Sequence, residues 1–394
     1  MTQRVPRGVW ILGLVSLLMD TSSEMIHALL PLYMVDALGA SMLVVGFIEG
    51  IAEAIALIVK VFSGYASDVF RRRKALVVLG YGLGALSKFA FPLASTLGLV
   101  VAGRFVDRVG KGIRGAPRDA LVADLAPPEV RGAAFGLRQA LDSVGAIAGP
   151  LFAVLLIAAF AGHFRSVFWI AVVPALLCVA LLVFGVEEPA SRQAASAERV
   201  SWQDARRLDA RFYVVTAIAA VLTLARFSEA FLVLRGQDVG MGVTGAPWVM
   251  VAMSIVFAAL SYPAGRLADR GYAKSLLFAG LAALVASDVV LALAVGTVGA
   301  VAGAALWGLH MALTQGLLAA LVAATAPAQL RGTAFGVFNL ASGVALLVAS
   351  ALAGFLWQAI GPSATFFAGA AFTVVAMVAL ALHVRHVPTL TAPS

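Results

Sequence analysis

The chain has 394 residues, 62% of them hydrophobic and only 12% charged, with a mean hydropathy of +0.98 and a formal net charge of +8. Soluble domains contain about 45–50% apolar and about 25% charged residues, so this composition excludes a water-soluble globular protein. The apolar runs are about 20 residues long and do not alternate with polar residues, which predicts membrane-spanning α-helices rather than a β-barrel.

In chain order, twelve apolar segments are long enough to cross a hydrocarbon core of about 30 Å at about 1.5 Å per residue. Six lie at 9–34, 42–66, 75–95, 97–123, 132–160 and 165–186, and six at 211–235, 246–268, 275–295, 298–323, 332–357 and 363–384. The sequence therefore predicts an all-α membrane protein of twelve transmembrane helices. It consists of an N-terminal half (1–186), a charged linker (187–210) and a C-terminal half (211–394).

Basic residues are concentrated in every second connection between the segments. They include Arg4, Arg7, Arg71, Arg72, Arg73, Lys74, Arg131, Arg192, Arg199, Arg206, Arg207, Arg266, Arg270, Lys274, Arg331 and Arg385. The positive-inside rule places these connections in the cytoplasm, so both termini are predicted to be cytoplasmic. Topology therefore explains the net charge, and no nucleic-acid partner is expected. Asp20 and Glu24 interrupt the first segment, which argues against a cleaved signal peptide.

An internal repeat relates the two halves. Residues 120–136 (ALVADLAPPEVRGAAFG) and 320–336 (ALVAATAPAQLRGTAFG) share eleven of seventeen positions at an offset of 200. Two shorter pairs agree in nearly the same register: Gly64-Tyr-Ala-Ser-Asp68 with Gly265-Arg-Leu-Ala-Asp269, and Ser23-Glu24 with Ser228-Glu229. The halves are therefore interpreted as parallel six-helix repeats, an organisation found in alternating-access transporters.

These motifs resemble those of the major facilitator superfamily. Gly64 and Asp68, followed by the basic run 71–74, are similar to that family's signature between helices 2 and 3, although Arg71 replaces a usual glycine. Gly145-Ala-Ile-Ala-Gly149-Pro150 is similar to the GxxxGP motif of its proton-coupled antiporters. Arg104 begins a segment like the family's RxxqG motif, but Asp107 and Arg108 occupy its last two positions. The resemblance implies a monomeric secondary transporter in a bacterial inner membrane.

The resemblance also implies a gating role for the motif residues. A carboxylate at a cytoplasmic helix end can cap a neighbouring helix or pair with arginines, and spaced glycines let helices approach closely. The predicted gating residues are Gly64, Asp68, Arg71, Arg72, Arg73, Gly265, Asp269, Gly145, Gly149 and Pro150. Packing and topology alone are the alternative explanation for each of them.

Ionisable residues at membrane depth are expensive and by default indicate function. The counterparts of Arg104, Asp107 and Arg108 in the second repeat are Ala304, Trp307 and Gly308, so the fold itself does not require these charges. Burial disfavours the ionised form of a carboxyl group, which suits it to taking up and releasing a proton. The candidate proton or cation carriers are Asp20, Glu24, Glu49, Glu53 and Glu229.

A second set of charges is predicted to bind substrate or to neutralise the acidic residues. It comprises Arg104, Asp107, Arg108, Lys111, Arg114, Arg138, Asp142 and Arg226. Arginine suits bidentate contacts with carboxylate or phosphate, so these residues also permit an anionic substrate. His27 and His310 leave metal transport open as a minor alternative, and no resident metal site is predicted.

The function favoured by the sequence is proton-coupled transport of a small molecule, with export the preferred direction. The alternative is uptake or exchange of an anionic metabolite, siderophore or metal complex. No GxxxxGK[ST] sequence occurs, so ATP is not expected to drive transport directly. A receptor or scaffold would have little use for buried carboxylates. An enzyme is not predicted, because no nucleophile–His–acid pattern occurs, and no cofactor is expected.

Overall fold

The computed structural model describes residues 5–70, 73–187, 205–326 and 330–383, and these ranges are almost wholly helical, without a β-strand. The long helices are α1 (Arg7–His27), α2 (Met42–Phe70), α3 (Arg73–Lys88), α4 (Leu97–Leu125), α5 (Arg131–Ala159), α6 (Phe164–Gly185), α7 (Ala210–Ala225), α8 (Trp248–Leu267), α9 (Ala273–Leu293), α10 (Thr297–Thr325), α11 (Arg331–Ala359) and α12 (Pro362–His383). The expected all-α membrane fold is confirmed.

Ten helical stretches in the described ranges are long and apolar enough to cross a membrane. One of them, Trp248–Leu293, is 46 residues long and contains α8 and α9, which are joined by a π-helical turn at Ala268–Tyr272. Helix α4 is not among the ten, although its 29 residues are long enough, because it carries many charged side chains. The number of twelve spans therefore stays a prediction.

Two predicted segments are broken. Helix α1 ends at His27, and the chain continues through a short helix at Leu30–Leu32 and a π-helix at Tyr33–Ala37. Helix α7 ends at Ala225, and a second short helix begins only at Ala230. Non-helical backbone at membrane depth must find hydrogen-bond partners inside the protein, so each break requires a local explanation.

The helix boundaries repeat at the offset predicted from the sequence. Helices α4 and α10 begin at Leu97 and Thr297, and α5 and α11 begin at Arg131 and Arg331. The helix pairs that pack together also correspond: α1 with α5, α3 with α4 and α1 with α6 match α7 with α11, α9 with α10 and α7 with α12. The two repeats therefore fold in the same way.

Clustering of contacts divides the chain into two compact units. The first comprises the described parts of residues 1–38 and 55–198, and the second those of 39–54 and 199–394. The first part of α2, which carries Glu49 and Glu53, therefore groups with the C-terminal helices although it belongs to the N-terminal half in sequence.

The carbonyl group that follows the short helix Ala90–Leu93, after α3, and the one that follows α9 are capped in a similar way in the two units. Arg165 Nη2 donates to the Ala94 carbonyl at 2.9 Å, and Arg235 Nη2 donates to the Ala294 carbonyl at 2.8 Å. Tyr33 Oη also donates to Ala94. A basic side chain near a helix C-terminus satisfies carbonyls that have no partner within the helix, which anchors the connections to α4 and α10.

Helices α3 and α4 meet through glycine. A Cβ atom added at Gly80 would lie 2.7 Å from the Gly110 carbonyl oxygen, and one added at Gly110 would lie 2.6 Å from the Gly80 carbonyl oxygen. Close backbone approach of this kind is how small residues hold membrane helices together. The interface therefore admits no larger residue at either position.

We expect Gly80→Ala to lower stability by about 1–3 kcal/mol, because the added methyl group must push α3 and α4 apart. Thermal unfolding of the purified protein in detergent measures the loss. Gly82→Ala on the same helix is the matched control, since a Cβ atom there meets nothing within 4 Å. Equal melting temperatures for the two variants would contradict the proposed packing.

Candidate functional site

The acidic residues of α1 lie on one stripe, as their spacing predicts. Asp20 and Glu24 are one helical turn apart and both are half-buried. Glu24 Oε2 lies 3.5 Å from His27 Nδ1 on the next turn. This stripe places two carboxyl groups and an imidazole, all able to exchange protons, along a single helix face.

The GxxxGP segment of α5 packs directly on this stripe. A Cβ atom at Gly145 would lie 3.0 Å from Asp20 Cβ, and one at Gly149 would lie 2.5 Å from Glu24 Cβ. Both glycines are buried, and Pro150 follows within the helix. The glycines of the motif therefore pack directly against α1 at Asp20 and Glu24. Because these glycines have no side chains, α5 can approach α1 closely at this point.

Basic side chains of α4 surround the same carboxyl groups. Arg114, Arg118 and Lys111 are close enough to Asp20 to interact with it electrostatically. Lys111 and Arg108 interact with Glu24 in the same way. The structure thus brings the basic stripe of α4 beside the acidic stripe of α1, and each carboxyl group lies among cations.

Other charges of α4 point into the packing between α3 and α4. Lys88 Nζ and Asp107 Oδ1 form a buried ion pair of 2.7 Å, and Arg108 Nε lies 3.6 Å from Asp107 Oδ2. The Arg114 guanidinium lies over the Tyr81 ring at 4.7 Å, a cation–π contact. Arg104 is buried on the same helix, with 3% of its surface exposed.

A chain of alternating charges joins α4 to α5. Arg138 Nη1 lies 2.7 Å from Asp142 Oδ2 and 3.7 Å from Asp119 Oδ1. Arg118 pairs with Asp119 at 3.2 Å, approaches Asp142 at 4.0 Å, and donates to Ser16 Oγ on α1 at 3.2 Å. Arg138 and Asp142 therefore belong to an ion network that reaches α1.

The break in α7 is satisfied by polar side chains of the second unit. The Ser228 amide donates to Ser350 Oγ at 3.1 Å, and the Ala230 amide donates to Ser228 Oγ at 3.3 Å. The Ser228 hydroxyl also reaches Glu49 Oε2 at 3.4 Å. Glu49 is fully buried. An acidic residue therefore meets unwound backbone at this point.

Glycines bring α2 close to α11 beside Glu49. A Cβ atom at Gly50 would lie 3.0 Å from the Leu347 Cα atom, and one at Gly46 would clash with the Ser350 carbonyl oxygen. Glu53, one turn beyond Glu49, is half-buried. Arg226 and Glu229, at the two ends of the α7 break, interact with each other.

The predicted gating residues are described in part. Arg73 forms an ion pair with Asp124, which joins the start of α3 to the end of α4. A Cβ atom added at Gly64 would lie 3.6 Å from the Cβ atom of Ala116, which is an ordinary van der Waals distance. Gly265 and Asp269 are exposed, and Asp269 lies in the π-helical turn before α9. Arg71 and Arg72, together with the side chain of Asp68, lie outside the described residues.

Several charged residues of these networks were not among the predicted sites. Asp119 and Asp124 pair with arginines near the end of α4, and Lys88 pairs with Asp107. Asp288, in the C-terminal third of α9, is fully buried, although the apolar run around it gave no periodic signal. In the described ranges no group of three or more His, Cys, Asp or Glu side chains could hold a metal ion.

Comparison with known proteins agrees with this fold. The nucleoside transporter NupG has a solved structure that superposes with a TM-score of 0.79, at 15% identity, over 95% of this chain and 99% of the other. The Major Facilitator Superfamily profile matches residues 12–234 and 216–394. The chain is thus a multi-pass membrane transporter, and it belongs to the Major Facilitator Superfamily.

Two relatives are similar to this chain in sequence over most of its length. An uncharacterized MFS-type transporter of Methanocaldococcus jannaschii is 33% identical over 380 residues, which is 95% of this chain and 94% of that protein. The multidrug resistance protein MdtH of Photorhabdus laumondii is 25% identical over 279 residues, 70% of this chain and 68% of that protein. As expected from the sequence, the protein is a transporter and not an enzyme.

We expect Lys88→Met alone to cost about 3–5 kcal/mol of stability, because it leaves the buried Asp107 carboxylate without its lysine. The double variant Lys88→Met/Asp107→Leu should cost less than the sum of the two single variants. A double-mutant cycle based on unfolding in detergent measures the coupling. Lys274→Met, at an exposed lysine, is the control and should leave stability unchanged. Additive losses would show that the ion pair does not form.

Proposed function

We propose that this protein is a proton-coupled exporter of small molecules in a bacterial inner membrane, with both termini in the cytoplasm. One observation carries the proposal: the GxxxGP glycines of α5 lie against the α1 backbone where it bears Asp20 and Glu24. A motif typical of antiporters and a pair of membrane-embedded carboxyl groups are thereby joined in one contact.

The surroundings of Asp20 and Glu24 suit proton exchange. Half-burial disfavours the ionised carboxyl group, whereas the neighbouring cations of α4 favour it. Small changes in the distance between α1 and α4 therefore shift the balance between the protonated and ionised forms. A transport cycle that alternately separates and joins these helices would load and release a proton.

Glu49, Glu53 and Glu229 are proposed as further coupling residues in the second unit. Glu49 is hydrogen-bonded to Ser228 at the break in α7. Discontinuous helices are frequent at the binding sites of transporters, because unwound backbone offers free polar groups. A proton gained or lost at Glu49 would alter the hydrogen bonds that hold this break.

The remaining residues are proposed to act in binding and gating. Arg104, Arg108, Lys111, Arg114 and Arg226, with Asp107, Arg138 and Asp142, would contact the substrate or balance the carboxyl groups. Arg73 and Asp124 would act with the motif residues around Asp68 and Asp269 as a gate on the cytoplasmic side. The multidrug resistance relative supports export of drug-like molecules, and we propose that the working unit is a monomer.

A second candidate function is uptake or exchange of an anionic metabolite. It is favoured by the buried arginines of α4. Arg104, Arg108 and Arg114 are buried there, and Arg108 and Arg114 also interact with Glu24 and Asp20, respectively. Guanidinium groups suit bidentate contacts with a carboxylate or phosphate, so this helix would suit an anionic substrate.

Proton flux in proteoliposomes that contain a pH-sensitive dye tests the coupling. Lipophilic cations, organic anions and divalent metal ions are supplied in turn to the wild type and to Glu24→Gln. We expect lipophilic cations to drive proton movement in the wild type and Glu24→Gln to abolish it, because the amide cannot exchange a proton.

Glu129→Gln is the matched control, since this glutamate is exposed in the short helix between α4 and α5. It should retain the flux of the wild type. Transport by the wild type without any proton movement would contradict proton coupling. A response confined to organic anions would instead favour the second candidate function.

A further inference from the structure

Asp288 is enclosed more completely than any carboxyl group used in the proposed mechanism except Glu49. It lies about one and a half turns before the C-terminal end of α9, with none of its surface exposed. Neither carboxyl oxygen has a hydrogen-bond partner. A Cβ atom added at Gly369 on α12 would lie 2.8 Å from Oδ2 of Asp288. The carboxyl group therefore lies close to the backbone of α12 at Gly369.

Aromatic rings form the wall beside it. Phe227 lies against the same point of α12, and its ring centroid is 5.4 Å from Trp307, 5.6 Å from Phe366 and 5.8 Å from Phe231. Trp357 completes the group by contacting Phe231 and Phe366. These five rings, hereafter the aromatic cluster, are all buried, and Phe227 is the member that lies against α12 beside Asp288.

No side chain in the described part of the chain donates a hydrogen bond to Asp288. Arg226, next to Phe227 at the α7 break, interacts with Glu229. On α10, His310 Nδ1 donates to the Gly280 carbonyl at 2.8 Å, about two helical turns from Asp288. Arg235 is directed to the carbonyls at Leu291, Ala292 and Ala294 and to Asp238. The other titratable groups on the packed elements lie at or near the helix ends: Tyr262, Arg266, Asp269, Arg270, Tyr272, Lys274 and His383.

A carboxylate in these surroundings would be an unpaired charge in an apolar interior, which proteins avoid by neutralising the group. We propose that Asp288 is a proton-binding site, held as the neutral acid behind the aromatic cluster. This site lies in the second unit and is separate from Asp20 and Glu24.

The position of Phe227 suggests how the proton would exchange. Phe227 belongs to the break between Ala225 and Ala230, where the backbone is held by Ser350 rather than by helical hydrogen bonds. Movement at this break would withdraw the Phe227 ring and admit water to Asp288. That this exchange takes part in transport rests on the proposed function. That Asp288 binds a proton does not.

Infrared spectroscopy of the full-length protein in lipid nanodiscs tests the site without any substrate. We expect the wild type at neutral pH to show a carbonyl band of a protonated carboxylic acid that Asp288→Asn lacks. Asp288→Glu should retain an acid band at a shifted frequency, which covers the case that the asparagine variant does not fold. Asp36→Asn, at an exposed aspartate, is the control and should leave the band unchanged.

Hydrogen–deuterium exchange in the same samples tests the role of the aromatic cluster. The acid band of Asp288 shifts in frequency when its proton is replaced by deuterium. The rate of this exchange should be slow in the wild type and faster in Phe227→Ala. Identical acid bands in the wild type and in both Asp288 variants would overturn the proposal, since Asp288 would then be ionised. Equal exchange rates in the wild type and Phe227→Ala would refute the control of access by Phe227. Neither result depends on whether Glu24 couples protons to transport.

Discussion

The structure depends on one constraint, which is that every charge placed among membrane helices must find a partner or lose its ionisation. The protein meets this constraint in three ways. Lys88 and Asp107 form a buried pair between α3 and α4. Arg118, Asp119, Arg138 and Asp142 share a network across α4 and α5. Asp288 has neither kind of partner, and we therefore assign it a proton.

Glycine makes these arrangements possible, because it lets helices approach until charged side chains can reach one another. Gly80 and Gly110 bring α3 and α4 together one to two turns from Lys88 and Asp107. Gly145 and Gly149 do the same for α5 and α1 at Asp20 and Glu24. The electrostatics of the candidate site is therefore set by residues that carry no charge themselves.

The sequence predicts the repeat, the helical class and the family well, because these depend on hydropathy and on motifs. The offset of 200 residues in 120–136 and 320–336 recurs in the boundaries of α4 and α10. The breaks after His27 and Ala225 were missed, because each lies within a segment that is apolar on average. The partner of Glu49 was missed because Ser228 and Ser350 are distant in sequence, and Asp288 because a single acid in an apolar run has no period. The pairing of Lys88 with Asp107 was also missed, because it depends on the rotation of α3 and α4 about their axes, which only packing fixes.

In the proposed mechanism, contact between the α5 glycines and α1 controls the protonation of Asp20 and Glu24. The most direct measurement compares proton-coupled transport by Gly149→Ala and Gly136→Ala in proteoliposomes, after both are shown to be folded. A Cβ atom at position 136 meets nothing within 4 Å, whereas one at 149 would lie 2.5 Å from Glu24 Cβ. We expect Gly149→Ala to lose proton movement and Gly136→Ala to keep it. Wild-type proton movement in folded Gly149→Ala would show that this contact does not control Asp20 and Glu24.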